Sequence, residues 1–152
     1  MGLFSSKSPD VDTALADTVV ASTDKTHRAT LDALGHSQAT LHSIFGQGEV
    51  PICSAWYMGM MGGNMLVVVT NQRTLTLKKD SIKQQLGHGE VAETTIRKMP
   101  NGDCLVEIES KKSRLDFNLQ DSQRYEHIIQ LQVGTPRVAQ AVCAAVDQYL
   151  LP

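Results

Sequence analysis

The sequence predicts an α+β fold: a small, partly open barrel of about seven antiparallel strands, with a helical extension before it and helices after it. Three observations predict it. Leu66-Val-Val-Val-Thr-Asn-Gln-Arg-Thr-Leu-Thr-Leu-Lys-Lys79 compresses an apolar strand, a tight polar turn and an alternating second strand into one hairpin. Pro100-Asn101-Gly102-Asp103 marks a second hairpin, with Asn-Gly supplying the positive φ angles of a type I′ turn. Before Gly46 and after Asp121 the apolar residues recur at helical spacing instead.

Residues 1–9 read as a flexible N-terminus and 10–45 as the helical extension, with Ser8 or Asp10 as cap and Pro9 helping to start it. His27, Leu31, Leu34, Gln38, Leu41 and Phe45 are spaced four, three, four, three and four apart, and Val20 and Asp24 continue the series N-terminally. Gly35 interrupts this helix at a cost of about 1 kcal/mol against alanine. Two readings follow. Either the helix docks on its own domain, or Leu31, Leu34, Leu41 and Phe45 form a contact seam for a second copy or a protein partner.

Gly46-Gln47-Gly48 ends the helical region, and strands are expected over 51–58, 65–70, 73–79, 82–86 and 90–97. The strand at 65–70 is apolar on both faces, so its outer face needs a cover, which the N-terminal helix can supply. Leu75 and Leu77 alternate with Thr74 and Thr76, the pattern of a strand with one buried face. After the Asn101-Gly102 turn, Cys104, Val106 and Ile108 alternate with Leu105, Glu107 and Glu109. Leu115, Phe117 and Leu119 then alternate in an expected seventh strand. Asp121 or Ser122 caps a short helix carrying Tyr125, Ile128 and Ile129. Gly134 stops it, and Thr135-Pro136 opens a last helix with Val138, Val142, Ala145, Val146 and Tyr149 on one face, packed on or beside a domain spanning 46–133.

With 152 residues, 41% of them hydrophobic and 20% charged, the chain can bury one ordinary core. No apolar run approaches a bilayer span, and Met1-Gly2-Leu3-Phe4 lacks the basic start of a secretory signal, so a cytoplasmic protein is expected. Met1-Gly2-Leu3-Phe4-Ser5-Ser6 formally fits the N-myristoylation pattern. Cys53, Cys104 and Cys143 lie far apart and read as small buried hydrophobes. Net charge of -2 excludes a broadly polycationic nucleic-acid binder. No lysine or arginine occurs between Arg28 and Arg73.

Read together, Gly48-Glu49-Val50, the Leu66–Lys79 hairpin with its Thr70-x-x-Arg73 step, and the Asn101-Gly102 hairpin followed by a helix resemble the bacterial pleckstrin-homology-like (PH-like) domains over about residues 46–133. The GRAM domain is a relative of that fold. The resemblance implies a seven-stranded, strongly bent antiparallel sheet plugged by a C-terminal helix. It also implies a role in binding phospholipids, peptides or proteins, or in assembly. Phosphoinositide-binding members set cations around the first interstrand loop, whereas here that loop reads Trp56-Tyr-Met-Gly-Met-Met-Gly-Gly-Asn64, inside the basic gap. The expectation therefore shifts from phosphoinositides toward protein contacts.

Trp56, Tyr57, Met58, Met60 and Met61 are the candidate protein or lipid contacts, since flexible thioethers beside interfacial aromatics suit an adaptable surface. Lys78, Lys79 and Lys83 at one turn, and Lys111 and Lys112 at another, are candidates for an anionic partner. Arg73 is expected to brace its turn or pair with a carboxylate. His27, His36, His42, His88 and His127 offer no ligand pair at metal spacing, and no nucleophile elbow or phosphate loop occurs, so no catalytic residue, cofactor or metal is expected. These features point to a non-enzymatic binding or assembly module, oligomerising or protein-binding. A peripheral membrane role on an anionic inner surface is the alternative.

Overall fold

The computed structural model describes residues 11–59, 63–112 and 127–150. The expected N-terminal tail, Ser8, Asp10, Met60, Met61, the strand around Leu115–Leu119 and the helix start at Asp121 lie outside the described residues.

Two helices precede the sheet. In α1 (Thr13–Ala16) the Asp12 carboxylate caps the first turn by accepting the Ala14 N–H at 2.9 Å. The chain then straightens instead of continuing as helix through Val20. Thr18 donates to the Leu15 carbonyl at 2.6 Å and lies 2.7 Å from the Ser54 hydroxyl, while Val19 bridges to Ser54. Thr23 opens α2 (Asp24–Ile44): its hydroxyl accepts the Thr26 N–H at 3.1 Å, and the Thr26 hydroxyl accepts the Thr23 N–H at 3.2 Å.

Seven antiparallel strands follow: β1 (Pro51–Met58), β2 (Asn64–Thr70), β3 (Arg73–Lys78), β4 (Ser81–Gly87), β5 (Val91–Lys98), β6 (Cys104–Ser110) and β7 (Ile128–Val133). They form one open sheet in the order β4-β3-β2-β1-β7-β6-β5. Among the described residues β1 joins β7 through the Met58–Gln132 pair alone, and this junction divides the sheet into two halves. A C-terminal helix, α3 (Pro136–Asp147), lies across β1, β5 and β6.

The sheet is covered on both faces. On its concave side Cys53, Ala55, Tyr57, Val67, Val69, Val106, Ile108, Ile129 and Leu131 pack with Val138, Val142 and Val146 of α3. On its convex side Leu34 and Leu41 of α2 and Leu15 of α1 pack on Leu66, Val68, Leu75 and Leu77. β2 is thus apolar on both faces because each face meets a helix. β3 departs from its expected pattern. Thr74 and Thr76 are fully buried too, paired with Val69 and Val67 on the concave side, while the leucines face α2.

Two expectations are corrected. The short helix expected to carry Ile128 and Ile129 is strand β7, because Ile129, Leu131 and Val133 alternate with half-buried Gln130 and Gln132, and the register with β6 runs from Cys104–Val133 to Glu109–Ile128. β7 brings the sheet to seven strands among the described residues. Finally, the turn at Asn101-Gly102 is not type I′, since only Gly102 has positive φ, at 92°. Pro100 shifts the turn back one residue, as its fixed φ suits the first central position of a type I turn, and the Gly102 N–H donates to the Met99 carbonyl at 3.0 Å.

Candidate functional site

The two ends of β3 carry different chemistry. At its start, Thr70 accepts the Gln72 and Arg73 N–H groups, each at 3.0 Å, and donates to Glu49 Oε2 at 2.7 Å. Arg73 clamps Glu49 with Nε on Oε2 at 2.9 Å and a second guanidinium nitrogen on Oε1 at 3.0 Å. It also reaches the Ile44 carbonyl at 2.7 Å and Gln85 Oε1 at 2.9 Å. Burial pushes the Glu49 carboxyl up, but hydrogen bonds from Arg73, the Gly46 N–H and Thr70, with the Arg73 charge, outweigh it and hold the group below the usual carboxylate range. Arg73 therefore both braces its turn and pairs with a carboxylate. It ties the end of α2 to the sheet, and all three of its guanidinium nitrogens are engaged in structure.

At the other end of β3 a cleft of about 790 Å³ opens between α2 and the ends of β1, β2 and β3. Lys25, Thr26, Ala29, Asp32, Ala33 and His36 of α2 form one wall, and Trp56, Gly63, Asn64, Lys78 and Lys79 the other. Two hydroxyls hold the backbone of the turn after β3. Ser37 donates to the Lys79 carbonyl and Thr40 to the Asp80 carbonyl, at 3.2 Å for the latter, so α2 grips the β3–β4 turn. Lys79 takes a positive φ of 57°, uncommon for a side chain of that kind, in the turn so held. Gly63 leaves room for its neighbour: a Cβ there would stand 3.2 Å from the Lys78 ammonium. The indole of Trp56 is oriented by donating to Asn64 Oδ1 at 3.2 Å, and its N–H backbone group meets the Thr30 hydroxyl at 3.3 Å. Among the described residues Lys25, Lys78 and Lys79 form no ion pair, whereas Asp32 has a bonding partner of its own.

The structure regroups the sequence candidates. Trp56, Lys78 and Lys79 meet in this cleft, joined by Lys25, Ala29, Ala33 and His36, which the sequence reading did not single out. Lys83 faces away from Lys78 and Lys79; it shares a second cleft, about 820 Å³, with Lys111, Lys112 and His127. Tyr57 points into the concave core, where burial pushes its hydroxyl up to about 12, while Met58 is 45% exposed beside a smaller hollow that Trp56 also lines. The proposed contact seam is used within the chain: Leu34 and Leu41 are fully buried, and Leu31 and Phe45 half-buried. All three cysteines are buried, and burial raises the Cys53 thiol to about 12.

The gap in basic residues is bridged in space. Lys25 comes from before it and Lys78 and Lys79 from after it, and all three line the cleft with Trp56, Gly63 and Asn64. A helical stripe at 25, 29, 32, 33 and 36 was visible in the sequence, but only the docking angle of α2 decides that it faces the strand ends. No helix among the described residues is long and apolar enough to cross a membrane, and no cluster of metal-binding side chains occurs among them. Compared with known proteins, the chain matches no family model, no curated protein and no solved structure.

Proposed function

We propose that the chain is a non-enzymatic, PH-like protein-binding module that engages its partner in the cleft between α2 and the ends of β1–β3. The seven-stranded antiparallel sheet with its C-terminal helix supports the PH-like part of this reading. The observation that carries the binding part is the gathering of Trp56, Lys25, Lys78 and Lys79 on one cleft with no ion pair on any of the three cations among the described residues. Cations beside an aromatic face give a ligand both charge and a flat contact surface. Self-association through the α2 seam would require Leu34 and Leu41, which the sheet already occupies.

Filling the cleft tests the reading. Ala29→Trp on the α2 wall is expected to abolish recovery of the partner in affinity capture from the native host, with Lys111→Glu, in the other cleft, leaving it intact. Unchanged recovery by both variants would refute it. A membrane reading has one observation in its favour, the exposure of Met58 beside Trp56 near these lysines. Equal flotation of wild type and Met58→Asp with anionic liposomes would remove it.

A further inference from the structure

The cleft has two chemically distinct parts. Ala29, Ala33 and the Trp56 ring make an apolar floor, and Lys25, Lys78 and Lys79 supply three positive charges from both walls. One carboxylate, Asp32, shares the lining and has a bonding partner of its own. Three like charges facing one cavity repel one another, and a bound anion relieves that repulsion. The backbone that carries Lys78 and Lys79 is held, because Ser37 and Thr40 grip the β3–β4 turn, and Gly63 makes room for the Lys78 head. Trp56, fixed through Asn64, presents a large flat surface at little conformational cost.

From this arrangement we infer that the occupant is an acidic segment of a partner protein that carries an apolar or aromatic anchor residue. The anchor lies on Trp56, Ala29 and Ala33, and flanking carboxylates meet Lys25, Lys78 and Lys79. The inference rests on the function proposed above and names the chemistry of its partner. A multiply charged small anion would leave the apolar floor unused, and a purely apolar segment would leave three ammonium groups facing a drier cleft without compensation. The combination suits a peptide with both kinds of side chain.

The probe is a short peptide with a central phenylalanine flanked by glutamates, titrated calorimetrically into the full chain, with backbone amide shifts followed by NMR. Expected is saturable binding with shifts at Ala29, Ala33, Trp56 and Gly63, weakened about threefold for each of Lys25→Gln, Lys78→Gln and Lys79→Gln, the range of exposed ion pairs. Binding should also weaken as salt rises. Replacing the phenylalanine with serine should weaken it further. In Lys25→Glu/Lys78→Glu the preference should invert toward a peptide with lysines in place of the glutamates, a result that misfolding cannot produce. Equal affinity for the acidic and basic peptides in wild type would overturn the inference, as would shifts confined to the Lys83–Lys111–Lys112 cleft. So would lysine-dependent binding to phosphatidylserine vesicles with none to the peptide. If Ala29→Trp loses the native partner while Lys25→Glu/Lys78→Glu retains it, the proposed function stands and this chemistry fails.

Discussion

At the start of β3 one carboxylate holds three pieces of chain together. Glu49 accepts from Arg73, Thr70 and the Gly46 N–H, and through Arg73 it reaches the last turn of α2 and Gln85 of β4. Its side chain is fully buried while that of Arg73 is 23% exposed, so removing either charge strands the other in poor solvent. Glu49→Gln is expected to lower unfolding free energy by about 3 kcal/mol at neutral pH, read from urea denaturation. The pH dependence has a definite sign. Because the folded carboxyl sits below its ordinary value of 4.5, its advantage over the glutamine variant is complete above that value and disappears as pH falls through the lower folded one. Stabilities of the two proteins that stayed a constant distance apart down to strong acid would contradict this account. Thr70-x-x-Arg73 was visible in the sequence as a step between strands; its partner Glu49, more than twenty residues earlier, was visible only as part of a separate Gly-Glu-Val motif.

At the scale of elements, α2 shows why a periodic pattern tells more about existence than about orientation. The spacing of Leu34 and Leu41 identified a buried face correctly, and both are fully buried. Yet the rest of that face is Thr30, Gly35 and Ser37, polar or small residues that a hydrophobic reading passes over. The two hydroxyls are buried with partners: Thr30 donates back to the Thr26 carbonyl at 2.7 Å and accepts from Trp56, and Ser37 holds the β3–β4 turn. Leu31, on the expected seam, is only half-buried because the true face is rotated toward Thr30. Leu34→Ala is expected to cost about 3 kcal/mol by leaving a cavity over Leu66 and Leu75, measured as a lowered denaturation midpoint. A loss below about 1 kcal/mol would show that the convex core adds little to stability. In β7 the opposite held. From Ile129 its Ile-Gln-Leu-Gln-Val run has a strict period of two, but Asp121 and Ser122 made a helix start look good enough to absorb it.

For the molecule as a whole, the sequence gives away the number of strands more readily than their neighbours. Local turns settle β1–β2, β2–β3, β3–β4 and β5–β6, while the junction of β1 with β7 links residues far apart in the chain and rests on Met58–Gln132. No local signal announces such a pair. Amide exchange at that junction is expected to outpace exchange in the central β1–β2 ladder by an order of magnitude or more, since one register pair protects it. Uniform protection across both would mean that the two halves open only together. The cleft is likewise a product of the whole: its walls come from α2, β1, β2 and β3, and no contiguous stretch of sequence contains more than a corner of it.

Trp56 is the chain's single tryptophan, and it stands in the cleft wall with its indole pinned by Asn64. All indole emission from this protein therefore originates at one surface, so the molecule carries an intrinsic optical reporter at the place where a guest would arrive. Occupancy can be followed without a label, and the signal is free of any second indole elsewhere in the fold.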